Sequence, residues 1–152
     1  MAIDPRAVGT ELEPVTMDVE RGRLRSFAKA IGETNQIYFD VDIAREAGYP
    51  DIPAPPTFLC ALMLERPDPF DWLADLGVEL QRILHGEQKF TYHAMVYAGS
   101  RLTARSRIVD VYAKKGGALE FIVRETEVTN GDGTKVAELN DVVIVRNPEV
   151  RA

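Results

Sequence analysis

The stretch that most constrains this chain is PPTFLCALML, residues 55–64. After Pro55 and Pro56, the run Phe58, Leu59, Cys60, Ala61, Leu62, Met63, Leu64 is apolar at every position. Prolines suit the approach to a helix and its first turn, where a missing N–H costs little. Pro67 stops the run. A helix without a polar face belongs in the interior. The pattern therefore predicts a helix over 57–65 with other elements wrapped around it, and the rest of the chain must supply the wrapping.

The second half is built to do so. From Gln88 to Tyr97, Phe90, Tyr92, Ala94 and Val96 alternate with Lys89, Thr91, His93 and Met95, a strand period. Residues 101–112 alternate more loosely, Lys114-Lys115-Gly116-Gly117 turns the chain, and 119–129 is rich in β-branched and aromatic residues. Asn130-Gly131-Asp132-Gly133 is a strong hairpin turn, and 136–146 is the last strand. Long antiparallel strands following a helical first half define an α+β fold, with one sheet curled around one buried helix.

In the first half, Leu24, Phe27, Ala28 and Ile31 fall at i, i+3, i+4 and i+7 and make one apolar stripe. Asp18 is placed to cap that helix and Gly32 to close it. A short helix is expected over 42–47, closed by Gly48. The irregular stretch ERPDPFDWLADLGVELQRILHGE, with the single tryptophan Trp72, is expected to lie over the core as a flap or short helix. Residues 1–152 read as one domain.

Composition excludes several classes of function. Net charge is −6 and no run is rich in Lys or Arg, so neither nucleic acid nor an anionic membrane is an expected partner. The single cysteine, Cys60, allows no intrachain disulfide, and a cytoplasmic location is expected. The opening MAIDPRAVGTELEP lacks the basic and apolar regions of a signal peptide. No apolar run approaches the ~20 residues of a membrane span. Two histidines and one cysteine have no zinc-ligand spacing, so neither metal nor cofactor is expected.

The segment GETNQIYFDVDIAREAGYPDIPAPPTF resembles the MaoC-like (R)-specific enoyl-thioester hydratases and 3-hydroxyacyl-thioester dehydratases, in the branch known as the N-terminal half of MaoC dehydratase or fatty-acid-synthase-like dehydratase domain. DPFDWLADLG, LHGEQKFTYH, KKGGALEFIVRETEVTN and VVIVRNP are similar to that branch too. The resemblance implies a hot-dog fold, in which a curled antiparallel sheet encloses a central helix. It implies a ligand that is a thioester of coenzyme A or acyl carrier protein, bound at a homodimer or heterodimer interface. In catalytic members an Asp-x-Asn-Pro-x-His loop supplies a histidine base for the proton alpha to the thioester and an aspartate that positions water or the leaving hydroxyl. Backbone N–H donors at the start of the central helix meet the enolate charge.

Carried onto this chain, Glu33 takes the aspartate's place, Asn35 the asparagine's, Gln36 the proline's and Tyr38 the histidine's. A phenol titrates near ~10 when unperturbed and is a poor base. The loop before the central helix reads Ala54-Pro55-Pro56-Thr57, so donors there begin at Thr57. Glu33 and Tyr38 are candidate catalytic residues, while Asn35, Pro56, Thr57, Cys60 and Trp72 are candidate substrate contacts. On a regular strand over 85–93, His85, Glu87, Lys89, Thr91 and His93 would share a face, making His85 with Glu87 an alternative catalytic pair. Phe70 and Leu73 could join Trp72 over an acyl tunnel. Arg101, Arg105, Arg107, Lys114 and Lys115 could attract a carrier phosphate. Two readings follow: a dehydratase or hydratase acting through Glu33 and His85, or a non-catalytic acyl-thioester-binding subunit whose MaoC-like partner supplies the base.

Overall fold

The computed structural model describes residues 3–148. Five antiparallel strands form one sheet: β1 (Val15–Asp18), β2 (Ile83–Tyr92), β3 (Arg101–Lys114), β4 (Leu119–Asn130) and β5 (Lys135–Arg146). Their spatial order is β1-β3-β4-β5-β2, so β1 and β2 are the edges. The four long strands, β2 to β5, follow the helices as expected, but a short unexpected strand, β1, precedes the first α-helix. The strand expected over 88–97 lies earlier, however. It ends at Tyr92, and Tyr97 instead bridges to Pro53 on the approach to the central segment.

Pairing register sorts the sheet into two faces. Ser106 opposes Thr126, Thr126 opposes Leu139 and Leu139 opposes Phe90 on the inner face. Arg107, Glu125 and Asn140 form the corresponding outer row. The inner face carries the core, with Leu102, Val128 and Ala137 fully buried. At one end of the sheet this core surrounds the central segment. At the other, Trp72 and Leu73 cover Ile108, Ile122 and Val143.

The central segment, Pro56–Glu65, is helical as expected but wound as a 3-10 helix. Three residues per turn put i and i+3 on one line. Leu59 and Leu62 form such a line and are 3% and 1% exposed; Phe58 is 2% exposed. Burying each such side chain contributes about 1.5–3 kcal/mol. The opposite side departs from the expectation of all-round burial. Cys60 is exposed and Leu64 is 61% exposed, because the sheet of one chain covers only one flank. The unbroken apolar run shows that the segment needs cover, but it does not show which flank the chain's own sheet leaves open.

Three α-helices precede β2, two of them before the central helix and one after it. α1 (Arg21–Ala30) buries Leu24 and Ala28 and sets Phe27 edge-on against Phe58, with ring centroids 5.5 Å apart. Ile31 falls just past its end and is 50% exposed. Asp18 does not cap α1. It ends β1 and pairs with Arg101 at 2.9 Å, while Glu20 takes the cap position without a side-chain bond. Gly32 follows with φ +73°, the left-handed conformation that stops a helix at low cost. α2 (Val41–Glu46) is capped by Asp40, whose carboxylate accepts from the N–H groups of Asp42 and Ile43. α3 (Asp71–Asp75) is the expected flap and buries Trp72 to 5% exposure.

Candidate functional site

The loop 32–40 is held mainly by its own backbone. One oxygen of Glu33 accepts from the N–H groups of Thr34 at 2.8 Å and Asn35 at 2.9 Å. These bonds hold the Glu33 carboxyl below the usual carboxylate range, so it is charged near neutrality. The Asn35 side chain accepts from the Ile37 N–H and caps a single 3-10 turn, Gln36–Tyr38. Tyr38 is half-buried. Burial first, then the charge of Glu33 and the neighbouring Tyr49, push its phenol above the ordinary value. The site thus holds a carboxylate engaged with its own turn and a phenol that keeps its proton. Neither is poised to take a proton near pH 7.

His85 and Glu87 do not form the alternative pair. β2 carries a bulge at Gly86, where His85 opposes Val143 and Glu87 opposes the adjacent Val142. Successive residues on β5 point to opposite faces, so His85 and Glu87 do as well. The extra residue is glycine for a steric reason. A Cβ at Gly86 would lie 2.9 Å from the Ile144 side chain and 3.0 Å from the Val142 carbonyl. His93 lies beyond β2 and bonds through Nε2 to Glu138 at 2.7 Å on the surface.

A second group of residues does converge, at the start of the central helix. The Tyr92 hydroxyl donates to the Pro56 carbonyl at 2.6 Å. Its ring stacks on Phe90 at 5.8 Å between centroids, with the planes 2° apart. Pro56, Thr57 and Cys60 are all exposed there. Burial first, then the neighbouring Cys60, raise the Tyr92 phenol above its ordinary value, and burial raises the Cys60 thiol. Cys60 is therefore a protonated thiol at neutral pH, not an activated nucleophile. Tyr92 was absent from the sequence-based candidates, although its alternation with Phe90 was visible. No hydrogen bond or ion pair among the described residues joins Glu33 or Tyr38 to Thr57.

Trp72 lies apart from this group, in the core at the other end of the sheet. The Arg124 guanidinium sits 4.8 Å from its ring, paired in turn with Asp141 at 3.0 Å. The basic residues considered for a carrier phosphate are mostly engaged. Arg101 pairs with Asp18 and Arg107 with Glu125, and Lys114 lies over the Tyr112 and Phe121 rings. Arg105 and Lys89 line a trough of about 960 Å³ across the outer face, but Glu87, Glu125, Glu127 and Glu138 share it. That mixture gives no anion site. Among the described residues no three His, Cys, Asp or Glu side chains gather to hold a metal, and no helix is long and apolar enough to cross a membrane.

A single curled antiparallel sheet around a central helix is the hot-dog architecture, and its solved relatives are MaoC-like dehydratases and hydratases. The chain belongs to the family described as FAS1-like, dehydratase domain region, which it matches over residues 6–139. Among curated proteins it is similar to a UPF0336 protein of Saccharopolyspora erythraea, 32% identical over 96% of this chain and 93% of the other. A UPF0336 protein of Streptomyces coelicolor is 37% identical over 87% of this chain and 89% of the other. Among solved structures it is similar to a chain of the truncated HadBC (3R-hydroxyacyl-ACP dehydratase) complex of Mycobacterium tuberculosis, with 28% identity, TM-score 0.78, and coverage of 95% of this chain and 99% of that one. The R-hydratase PhaJ1 of Pseudomonas aeruginosa shares the fold at TM-score 0.67 and 16% identity, over 99% of this chain and 95% of that one.

Proposed function

We propose that this chain is the acyl-thioester-binding subunit of a (3R)-hydroxyacyl-thioester dehydratase, paired with a catalytic hot-dog partner that supplies the proton-transfer groups. The observation that carries this reading is the state of the 33–38 loop. Tyr38 stands in the base's place with its phenol pKa pushed up, and the Glu33 carboxylate is held low by two N–H groups of its own turn. Dehydration needs a group near its own pKa beside the alpha carbon, and this loop has none. The open flank of the central helix supports the binding role, since Cys60 and Leu64 offer apolar contact to a fatty chain. The ligand is a 3-hydroxyacyl or enoyl thioester of coenzyme A or acyl carrier protein. The protein works in the cytoplasm as a heterodimer.

The test is turnover with and without a partner. The purified chain, and the chain co-expressed with a MaoC-like subunit carrying Asp-x-Asn-Pro-x-His, are each mixed with crotonyl-CoA and longer enoyl-CoA thioesters. Loss of the conjugated thioester absorbance is expected only for the pair, above the rate of the partner alone. Robust turnover by this chain as a strict homodimer would instead assign the chemistry to its own residues and sink the binding-subunit reading.

A further inference from the structure

We infer that Tyr92 is a positioning residue for the acyl-thioester groove: its hydroxyl fixes the Pro56–Thr57 peptide so that the Thr57 N–H is aimed at a carbonyl of the bound thioester. The inference rests on the reading of the chain as an acyl-thioester-binding subunit. Its geometry is local. Pro55 and Pro56 have no N–H, and the Phe58 N–H is already given to the Pro55 carbonyl. Among the described residues none accepts from the Thr57 N–H, and Thr57 is exposed. The chain thus presents one backbone donor at this end of the central helix.

The Pro56 carbonyl and the Thr57 N–H are two ends of a single planar peptide group. In the trans form they point in opposite directions, so an anchor on the oxygen aims the hydrogen. Tyr92 is that anchor, donating to the Pro56 oxygen at 2.6 Å. The bond also polarises the peptide, which strengthens its N–H as a donor. Tyr92 is 48% exposed, so its side chain is open enough for water to compete for this bond. Phe90 stacks beside the ring and holds its orientation from the neighbouring inner-face position on β2. Cys60, close enough to perturb the phenol, marks the same exposed surface.

Tyr92→Phe keeps the ring and its stacking and removes only the hydroxyl. Two measurements decide the matter. In the isolated chain, the Thr57 amide proton resonance should move upfield in Tyr92→Phe, with the amides of β4 unchanged. In the complex with its MaoC-like partner, KM for crotonyl-CoA should rise roughly 3- to 10-fold with kcat within about twofold, the pattern of a lost binding contact worth one hydrogen bond. An unmoved Thr57 amide overturns the inference, as does an unchanged KM in an active complex or a fall in kcat alone. If the wild-type complex turns over nothing, the functional reading has failed, and the amide shift still judges whether Tyr92 acts on Thr57.

Discussion

Asp51 sits where α1 meets the approach to the central helix, in the grip of two arginines. Arg21 grips it with two bonds, at 2.9 and 2.6 Å, and Arg45 lies 3.6 Å away. Its pKa is lowered to about 2, first by Arg21. A carboxylate whose folded pKa lies below its unfolded value stabilises the fold above the unfolded pKa, and that contribution is lost as pH falls through the folded value. Asp51→Asn should therefore cost about 1 kcal/mol at pH 7, a figure reduced because Arg21 is half exposed. The deficit should shrink between pH 4 and pH 2. Urea midpoints of the two proteins across pH 2–7 measure this, and a deficit independent of pH would contradict the linkage.

Residue identity at the 33–38 loop was fully legible, and it put a phenol, Tyr38, where the resemblance expects a histidine base. What a residue list could not supply was occupancy. Glu33 looks like a free carboxylate in sequence, whereas its oxygen accepts from two N–H groups of the next residues. Such a bond depends on a turn conformation that leaves no periodic trace. The expected consequence is specific. Glu33→Gln in the reconstituted complex should leave kcat within about threefold, because the group serves the turn rather than the proton transfer. A loss of 100-fold or more, on the order of 3 kcal/mol of transition-state binding, would restore Glu33 as a catalytic acid or base.

At the scale of elements, the register of β2 was the least readable feature. Alternation over 88–92 was clear, and extending it backward as a regular strand paired His85 with Glu87. One extra residue in a strand reverses the face of everything before it. Gly86 is that residue, and it was chosen by contact with Ile144 rather than by any local preference. Replacing it with valine would force branched methyl groups against Ile144 and the Val142 carbonyl. The expected cost is about 1–3 kcal/mol, read as a lowered denaturant midpoint. Gly86→Val combined with Ile144→Ala should recover part of it, since the second change removes the atoms in the way. Absence of any recovery would place the strain in the backbone. The 3-10 winding of the central helix was likewise invisible in sequence, because an unbroken apolar run fits either period.

At the scale of the whole molecule, the decisive feature is what the single chain leaves open. Leu64 of the central helix is 61% exposed, Tyr92 at the end of β2 48%, and Met95 just beyond it 52%. β2 is also an edge, with unpaired backbone groups along one side. Large apolar side chains exposed near an open strand edge point to an association surface. Leu64→Glu puts a charge on that surface without touching the buried line of Leu59 and Leu62. The variant should keep the wild-type thermal midpoint within about 2 °C as an isolated chain, since exposed substitutions away from special features stay within about 0.5 kcal/mol. It should nonetheless fail to co-purify with the MaoC-like partner, because pairing would bury an unpaired carboxylate at a cost of several kcal/mol. Sedimentation of wild type and variant, each mixed with the partner at micromolar concentration, separates the outcomes. If the variant pairs as well as the wild type, the association surface lies elsewhere and the open flank of the helix needs another occupant.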